Sequence, residues 1–200
     1  PRYAAAAAAA GIPLRRGFGL GWQRPWLTHD AGLTAADRRM LNDRKAARLI
    51  TRHGGSLDPR PRFRPAASER AWARRQIGAM DGRHVVLGIG ASQKFKQWGT
   101  ANFAAAVAAL QRNYGARVHL LAGAAEKEMA KNLASGAPHP EGLRIHLNQS
   151  MGRCAALALA GDLFIGNDSG MLNLAAAAGA LAIGLFGGSP PLDIFPDLIA

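Results

Sequence analysis

Little in this sequence could cross-link the chain or carry it through a bilayer. A single cysteine, Cys154, excludes an internal disulfide and a cysteine-cluster metal site, and it fits a reducing compartment. No charge-free run of about 18 apolar residues occurs, so no segment reads as a membrane-spanning helix. The alanine run from Ala4 to Ala10 is too short and too weakly apolar for a secretory signal. A dinucleotide fingerprint is also missing. Gly17-Phe18-Gly19-Leu20-Gly21 has Pro25 where a helix should open, which argues against an NAD-dependent oxidoreductase. Aromatic residues make up only 6% of the chain and form no stacking motif, which argues against a nucleic-acid binder. Acidic residues are scarce as well, 13 against 25 Lys/Arg.

The excess positive charge is unevenly placed. Residues 1–83 hold 17 Lys/Arg against 6 Asp/Glu, whereas residues 84–200 hold 8 against 7. The basic surface therefore belongs to the first part of the chain, where nucleic acid, an anionic lipid surface, a phosphorylated acceptor or a plain solvated face would each account for it. Thr34, with Asp37 three residues on, predicts a helix to about His53, with Met40, Ala47 and Ile50 inward and Arg38, Arg44, Lys45, Arg48 and Arg52 outward.

What is present in strength is an alternation of strands and helices in the second part. Gly161 to Ser189, GDLFIGNDSGMLNLAAAAGALAIGLFGGS, reads as a buried strand, a polar turn at Asn167-Asp168-Ser169-Gly170, an alanine-rich helix and a second buried strand. In such a unit the helix N-terminus meets the carboxyl end of the strand, where free N–H groups favour a phosphate. Asp168 beside that cradle would repel a phosphate unless it serves a sugar hydroxyl; it reads equally as a cap for the helix.

Before this stretch, Tyr3 to Ala10 reads as a helix and Ile12 to Leu27 as a strand and loop. Gly54 to Pro65, with two glycines and three prolines, reads as a linker, which places a domain boundary at residue 65, between 1–65 and 66–200. Ala66–Met80 is then a helix, His84–Gly90 a strand, Thr100–Asn113 a helix, Ala116–Ala122 a strand, Ala125–Ser135 a helix, Leu143–Leu147 a strand and Met151–Ala160 a helix carrying Cys154 on an apolar face. Short connections between alternating strands and helices imply a Rossmann-like parallel sheet covered on both faces, with ligands at the strands' carboxyl ends. Ser92 and Lys96 follow the first of these strands, with a hydroxyl and a mobile cation suited to a diphosphate. Glu126 follows the second and begins the next helix, where it reads as an ordinary helix-start acid.

Two ordered blocks carry a family resemblance. NDSGMLNLAAAAGALAIGLFGGSPP resembles the donor-site segment of glycosyltransferase family 9, the ADP-heptose:lipopolysaccharide heptosyltransferases. Gly90-Ala91-Ser92-Gln93-Lys94-Phe95-Lys96-Gln97-Trp98, with Phe103 and Leu110, resembles that family's second signature. The resemblance implies an α/β fold of GT-B type, a Rossmann-like donor domain with part of the N-terminal acceptor domain. It also implies transfer of a sugar, heptose above all, from a nucleoside diphosphate to a lipopolysaccharide core or phosphorylated glycolipid. By that resemblance Ser92 and Lys96 hold the donor's phosphates, Glu126 the ribose hydroxyls and Asp168 the transferred sugar. The Ser169 and Gly170 amides take the phosphate, and Gln149 to Met151 lie near the adenine.

Lys96 and Asp168 are then the catalytic residues in this chain. The donor is ADP-linked and the reaction needs no metal or other cofactor. The basic N-terminal part meets the inner-membrane surface from the cytoplasm of a Gram-negative bacterium, and nucleic acid is no partner. Two departures keep a second reading open. No match to the family's glycine-aspartate motif occurs here, so the general base is expected outside this chain, which lacks most of the acceptor domain. Asn173 stands where the family usually has histidine, and its amide cannot become cationic. A non-catalytic nucleotide-sugar-binding protein of the same fold is the alternative.

Overall fold

The computed structural model describes residues 2–19, 21–30, 32, 42–52, 54–56, 60–187 and 198–199. The chain divides into two compact units, Pro1–Pro61 and Arg62–Ala200.

In the first unit helix α1, Arg2–Ala9, is followed by strand β1, Arg16–Gly17, which pairs in parallel with β2, His29–Asp30. The expected strand over Ile12 to Leu27 is thus reduced to two residues. Trp22 and Trp26 fall in a short 3₁₀ turn, Gly21–Trp26, that accommodates Pro25. The Asp30 carboxylate accepts from the Gly19 and Gly32 amides at 2.7 and 2.8 Å, and those bonds hold its pKa below the usual carboxylate value. Helix α2, Asn42–Arg52, carries the basic sequence NDRKAARLITR. Its inward set differs from expectation. Ile50 is 40% exposed and rests on Gly55, while Ala47 and Leu49 are half-buried. Thr34, Asp37, Arg38 and Met40 lie outside the described residues.

The second unit is a doubly wound sheet. Helix α3, Ala67–Ile77, leads into β3, His84–Gly88; then come α4, Thr100–Tyr114; β4, Arg117–Ala122; α5, Lys127–Ser135; β5, Leu143–Leu147; α6, Met151–Ala160; β6, Leu163–Asn167; α7, Gly170–Ala178; and β7, Ala182–Leu185. With β8, Leu198–Ile199, the strands lie in the order β5-β4-β3-β6-β7-β8, every pair parallel. The sheet expected from the alternation is present, and its strands read as near-continuous apolar runs because helices bury both faces.

Alternation along each strand divides the core in two. Val85, Leu87, Ile89, Val118 and Leu120 face one side, where Phe103 and Val107 of α4 and Leu133 of α5 close over them. Val86, Leu121 and Phe164 face the other, under Ala73 of α3, Leu157 of α6 and Leu172 and Ala175 of α7. Burial of a ring the size of Phe103 or Phe164 stabilises the fold by about 3–5 kcal/mol judged by truncation to alanine.

Gly88, Gly166 and Gly184 occupy one register row across β3, β6 and β7. A Cβ at Gly88 or Gly166 would stand 2.7 or 2.8 Å from the Phe164 ring, and one at Gly184 would meet Phe186 and Leu172. Lacking Cβ atoms there, the sheet lets α7 and its Met171 settle close above the strands' carboxyl ends. That closeness positions the site.

On the α3 side three histidines cross the sheet on adjacent strands. His84 Nδ1 lies 3.0 Å from His119 Nε2, and His119 Nδ1 lies 3.0 Å from His146 Nε2. His84 Nε2 is 3.0 Å from the Met80 carbonyl, which can only accept. That end fixes the direction of the chain: His84 donates to Met80, His119 to His84 and His146 to His119, so all three bonds form with neutral rings. Burial pushes His119 down to about 3 and His146 down to about 4, and the neighbouring histidines and Arg144 push the same way.

Candidate functional site

The strand order reverses between β3 and β6. The chain leaving β3 turns toward β4 and the chain leaving β6 turns toward β7, so their loops part and open a crevice at the strands' carboxyl ends. A cleft of about 790 Å³ occupies this place. Ser92 of the loop after β3, Glu126 after β4, Gln149 after β5 and Ser169 after β6 all line it, with Gly90, Gln97, Cys154 and Met171. Four loops far apart in sequence thus contribute to one space.

Each loop is held by local chemistry. After β3, Gln97 Nε2 donates to the Ala91 carbonyl at 3.0 Å, and Lys94–Lys96 form one 3₁₀ turn. Trp98 then stands edge-on to buried Phe103 with centroids 5.1 Å apart, which anchors the loop's far end to the core. After β4, Glu126 takes the N-cap position of α5 without capping it. Its Oε2 instead accepts from the Gly123 amide at 3.1 Å, and the carboxyl lies where a Cβ at Gly90 would come within 3.1 Å. Small residues at 90 and 123 therefore make room for this carboxylate.

After β5, Gln149 Nε2 donates to the Leu147 carbonyl at 3.1 Å and its Oε1 accepts from Arg153 at 3.2 Å. Arg153 lies over the Trp72 ring, whose other neighbour is His146 at 5.6 Å. Cys154 sits against the same wall, where burial pushes its thiol up to about 11.

After β6, Ser169 caps α7, its hydroxyl accepting from the Leu172 amide at 3.4 Å. Capping is therefore not the role of Asp168, one of the two readings its position allowed. Asp168 faces Lys96 instead, with Nζ 2.6 Å from Oδ2 and the side chains 24% and 14% exposed. Oδ2 is screened from solvent, and its charge is met by the ammonium at that distance. The Asp168 amide donates to the Leu185 carbonyl at 3.1 Å, which fixes the carboxylate's base on the strand end. Within α7 the first-turn amides of Gly170 and Met171 have no acceptor of their own in the helix and present a positive end.

Lys96 lines a second hollow of about 320 Å³ with Phe95, Trp98, Phe186 and Gly187. Gln97 lines both hollows, so they adjoin; Lys96 lines only the second, and Asp168 is among the lining residues of neither.

The remaining sequence-derived residues fall nearby or elsewhere. Gly170 is exposed at the start of α7, with open space where a Cβ would stand. Asn173, one turn along, has an Oδ1 shielded from solvent and without a hydrogen-bond partner. Met151 opens α6 with its side chain 68% exposed and is not among the residues lining the cleft; Met171 is. Among the described residues no group of three or more His, Cys, Asp or Glu is placed to hold a metal ion, and no helix is long and apolar enough to cross a membrane.

One residue central to this geometry escaped the sequence. Asn167 reads as a turn residue but ends β6, fully buried. Its Nδ2 donates to the Ile89 carbonyl at 2.9 Å and its Oδ1 accepts from the Trp98 amide at 3.0 Å. Both ends of the Ser92–Lys96 loop are thus tied to the strand that carries Asp168. An asparagine between an apolar run and Asp-Ser-Gly gives no sign in sequence that it points inward.

A doubly wound parallel sheet with a cleft at its switch point defines a Rossmann-like α/β domain. The model of glycosyltransferase family 9 (heptosyltransferase) matches residues 6–196, and the chain belongs to that family. Solved structures share the fold. An E. coli ADP-heptose LPS heptosyltransferase II superposes with a TM-score of 0.69 at 19% identity, covering 95% of this chain and 61% of that one. A family 9 glycosyl transferase from Veillonella parvula gives 0.80 at 20%, covering 99% and 58%. E. coli heptosyltransferase WaaC with ADP-2-deoxy-2-fluoro heptose gives 0.63 at 17%, covering 88% and 53%. At these identities the likeness is one of fold, the GT-B type, and this chain spans between about half and three-fifths of those proteins' length. No curated protein sequence matches.

Proposed function

We propose that the cleft at the switch point binds a nucleoside-diphosphate sugar, ADP-linked heptose above all. In this reading the protein to which this chain belongs transfers the sugar to a lipopolysaccharide core or a related phosphorylated glycolipid. The observation that carries the reading is the convergence of Ser92, Glu126, Gln149 and Ser169 on one cleft, two of whose lining residues, Gln97 and Ser169, are next in sequence to the paired Lys96 and Asp168. Family membership and the ADP-bearing ligand of the WaaC structure support the choice of donor.

In this reading Glu126 accepts from the ribose hydroxyls and Gln149 lies by the base. Ser92, Lys96 and the Ser169 and Gly170 amides hold the diphosphate, while Asp168 faces the sugar. Departure of the diphosphate needs stabilisation of developing negative charge. Lys96 and the positive end of α7 supply it without a metal ion. Asn173 adds a neutral amide donor on α7 where a histidine could have added charge. The basic helix α2 suits the anionic inner face of a Gram-negative inner membrane, from the cytoplasmic side.

Calorimetric titration of the chain with ADP, UDP, NAD and ADP-heptose tests the donor assignment, repeated with Lys96→Ala. ADP and ADP-heptose should bind in preference to UDP and NAD, and Lys96→Ala should weaken both. Absence of ADP and ADP-heptose binding by the folded chain would overturn the assignment.

A further inference from the structure

The Lys96–Asp168 pair poses a problem for a diphosphate site. Lys96 is the cation assigned to the diphosphate in the reading above, yet its charge is already met by a carboxylate at 2.6 Å. Asp168 cannot readily withdraw, because its amide is tied to Leu185 and the preceding Asn167 is locked by two buried hydrogen bonds. Lys96 is the mobile partner, a long side chain on a single 3₁₀ turn. Any phosphate that draws Lys96 away therefore leaves a shielded carboxylate beside it. The repulsion grows with the charge on that phosphate.

Donor and product differ in that charge. In a sugar nucleotide the terminal phosphate is esterified and carries one negative charge. In the free nucleoside diphosphate it gains a second ionisation near pH 6 and carries nearly two at neutral pH. The sugar also brings hydroxyl donors that a carboxylate can accept from. From this geometry, and resting on the donor-site reading, we infer that Asp168 is a specificity residue that selects sugar-linked diphosphate over free nucleoside diphosphate. It would thereby help expel the product once the glycosidic bond has moved. Lys96 is the arbiter: it is shared between carboxylate and phosphate, comfortably with the donor and poorly with the product.

The test is calorimetric titration of the full 200-residue chain with ADP and with ADP-heptose, comparing wild type, Asp168→Asn and Lys96→Met, each first shown to be folded by thermal unfolding. Asp168→Asn should bind ADP about threefold to tenfold more tightly, the size of one partly screened charge contact. It should bind ADP-heptose no better than wild type does. Lys96→Met leaves the carboxylate unopposed, so ADP should weaken more than ADP-heptose. Equal or weaker ADP binding by Asp168→Asn would overturn the inference while leaving the donor site in place. If Asp168→Asn does not fold, the Lys96→Met ratio decides: an equal loss for both ligands, or a greater loss for ADP-heptose, overturns it. A wild-type chain that binds neither ligand overturns both readings.

Discussion

Lowering the pH should destabilise this protein through its interior histidines. His119 and His146 ionise near 6.5 in an unfolded chain but only near 3 and 4 in the folded one, because burial opposes a charge at both, reinforced by Arg144 and, at His119, by the two flanking rings. Between those limits the unfolded state binds more protons than the folded state. Stability is therefore complete above about pH 7 and falls as the pH drops through 6.5. Each histidine contributes about 1.4 kcal/mol per pH unit once its unfolded form is protonated. Between pH 8 and pH 5 the loss is about 2 kcal/mol for each, up to about 4 kcal/mol for the two. Against a total of about 5–15 kcal/mol for a typical domain, that is a large fraction.

Urea unfolding followed by circular dichroism across pH 5–8 measures the slope directly. His119→Gln provides the control, because an amide can donate to His84 and accept from His146 as the imidazole does without titrating. The variant should retain about half of the acid dependence. Stability that stays flat between pH 8 and pH 5, or an unchanged slope in His119→Gln, would refute the argument.

Three further outcomes follow from the site. Asn167→Ala orphans the Ile89 carbonyl and the Trp98 amide, so it should cost about 2–5 kcal/mol in urea unfolding. It should also weaken ADP at temperatures where the chain stays folded, whereas Val107→Ala, a core truncation remote from the loop, should leave ADP affinity unchanged. Gly170→Ala meets open space in a helix's first turn, so thermal unfolding should shift little; on the donor-site reading ADP affinity should fall, because the new methyl group would crowd a phosphate at that helix end. Cys154, with its thiol pushed up to about 11, should react slowly with a disulfide reagent at pH 8 and still more slowly with ADP bound, since it lines the cleft.

The alternation of strands and helices from His84 to Leu185 was legible to within one or two residues, whereas the short β8 was not. The strand Leu143–Leu147 and the helix Met151–Ala160 fall at the expected bounds. Apolar runs of five or six residues between glycines and polar turns leave a parallel sheet little freedom. Unit 1 was harder to read, because Ile12–Leu27 has no periodicity and takes its shape from contacts such as Asp30 with the Gly19 amide. The site divided along the same line. Ser92, Glu126, Gln149 and Ser169 could be placed at strand ends from order alone, since a strand's carboxyl end is a local property. Sequence read Asp168 as a sugar ligand or a cap; structure shows it facing a lysine 72 positions away.

Sequence by itself therefore determined the strands β3 to β7 and, through two ordered motifs, the family. Only the tertiary structure decided the partnerships. The histidine chain, the Asn167 staple, the Glu126 carboxylate over Gly90 and the Lys96–Asp168 pair each join residues on different strands or loops. Which strands become neighbours is set by how the helices between them cover the sheet. A side chain's partner, charge and burial are fixed only once that packing brings distant segments within a few ångströms.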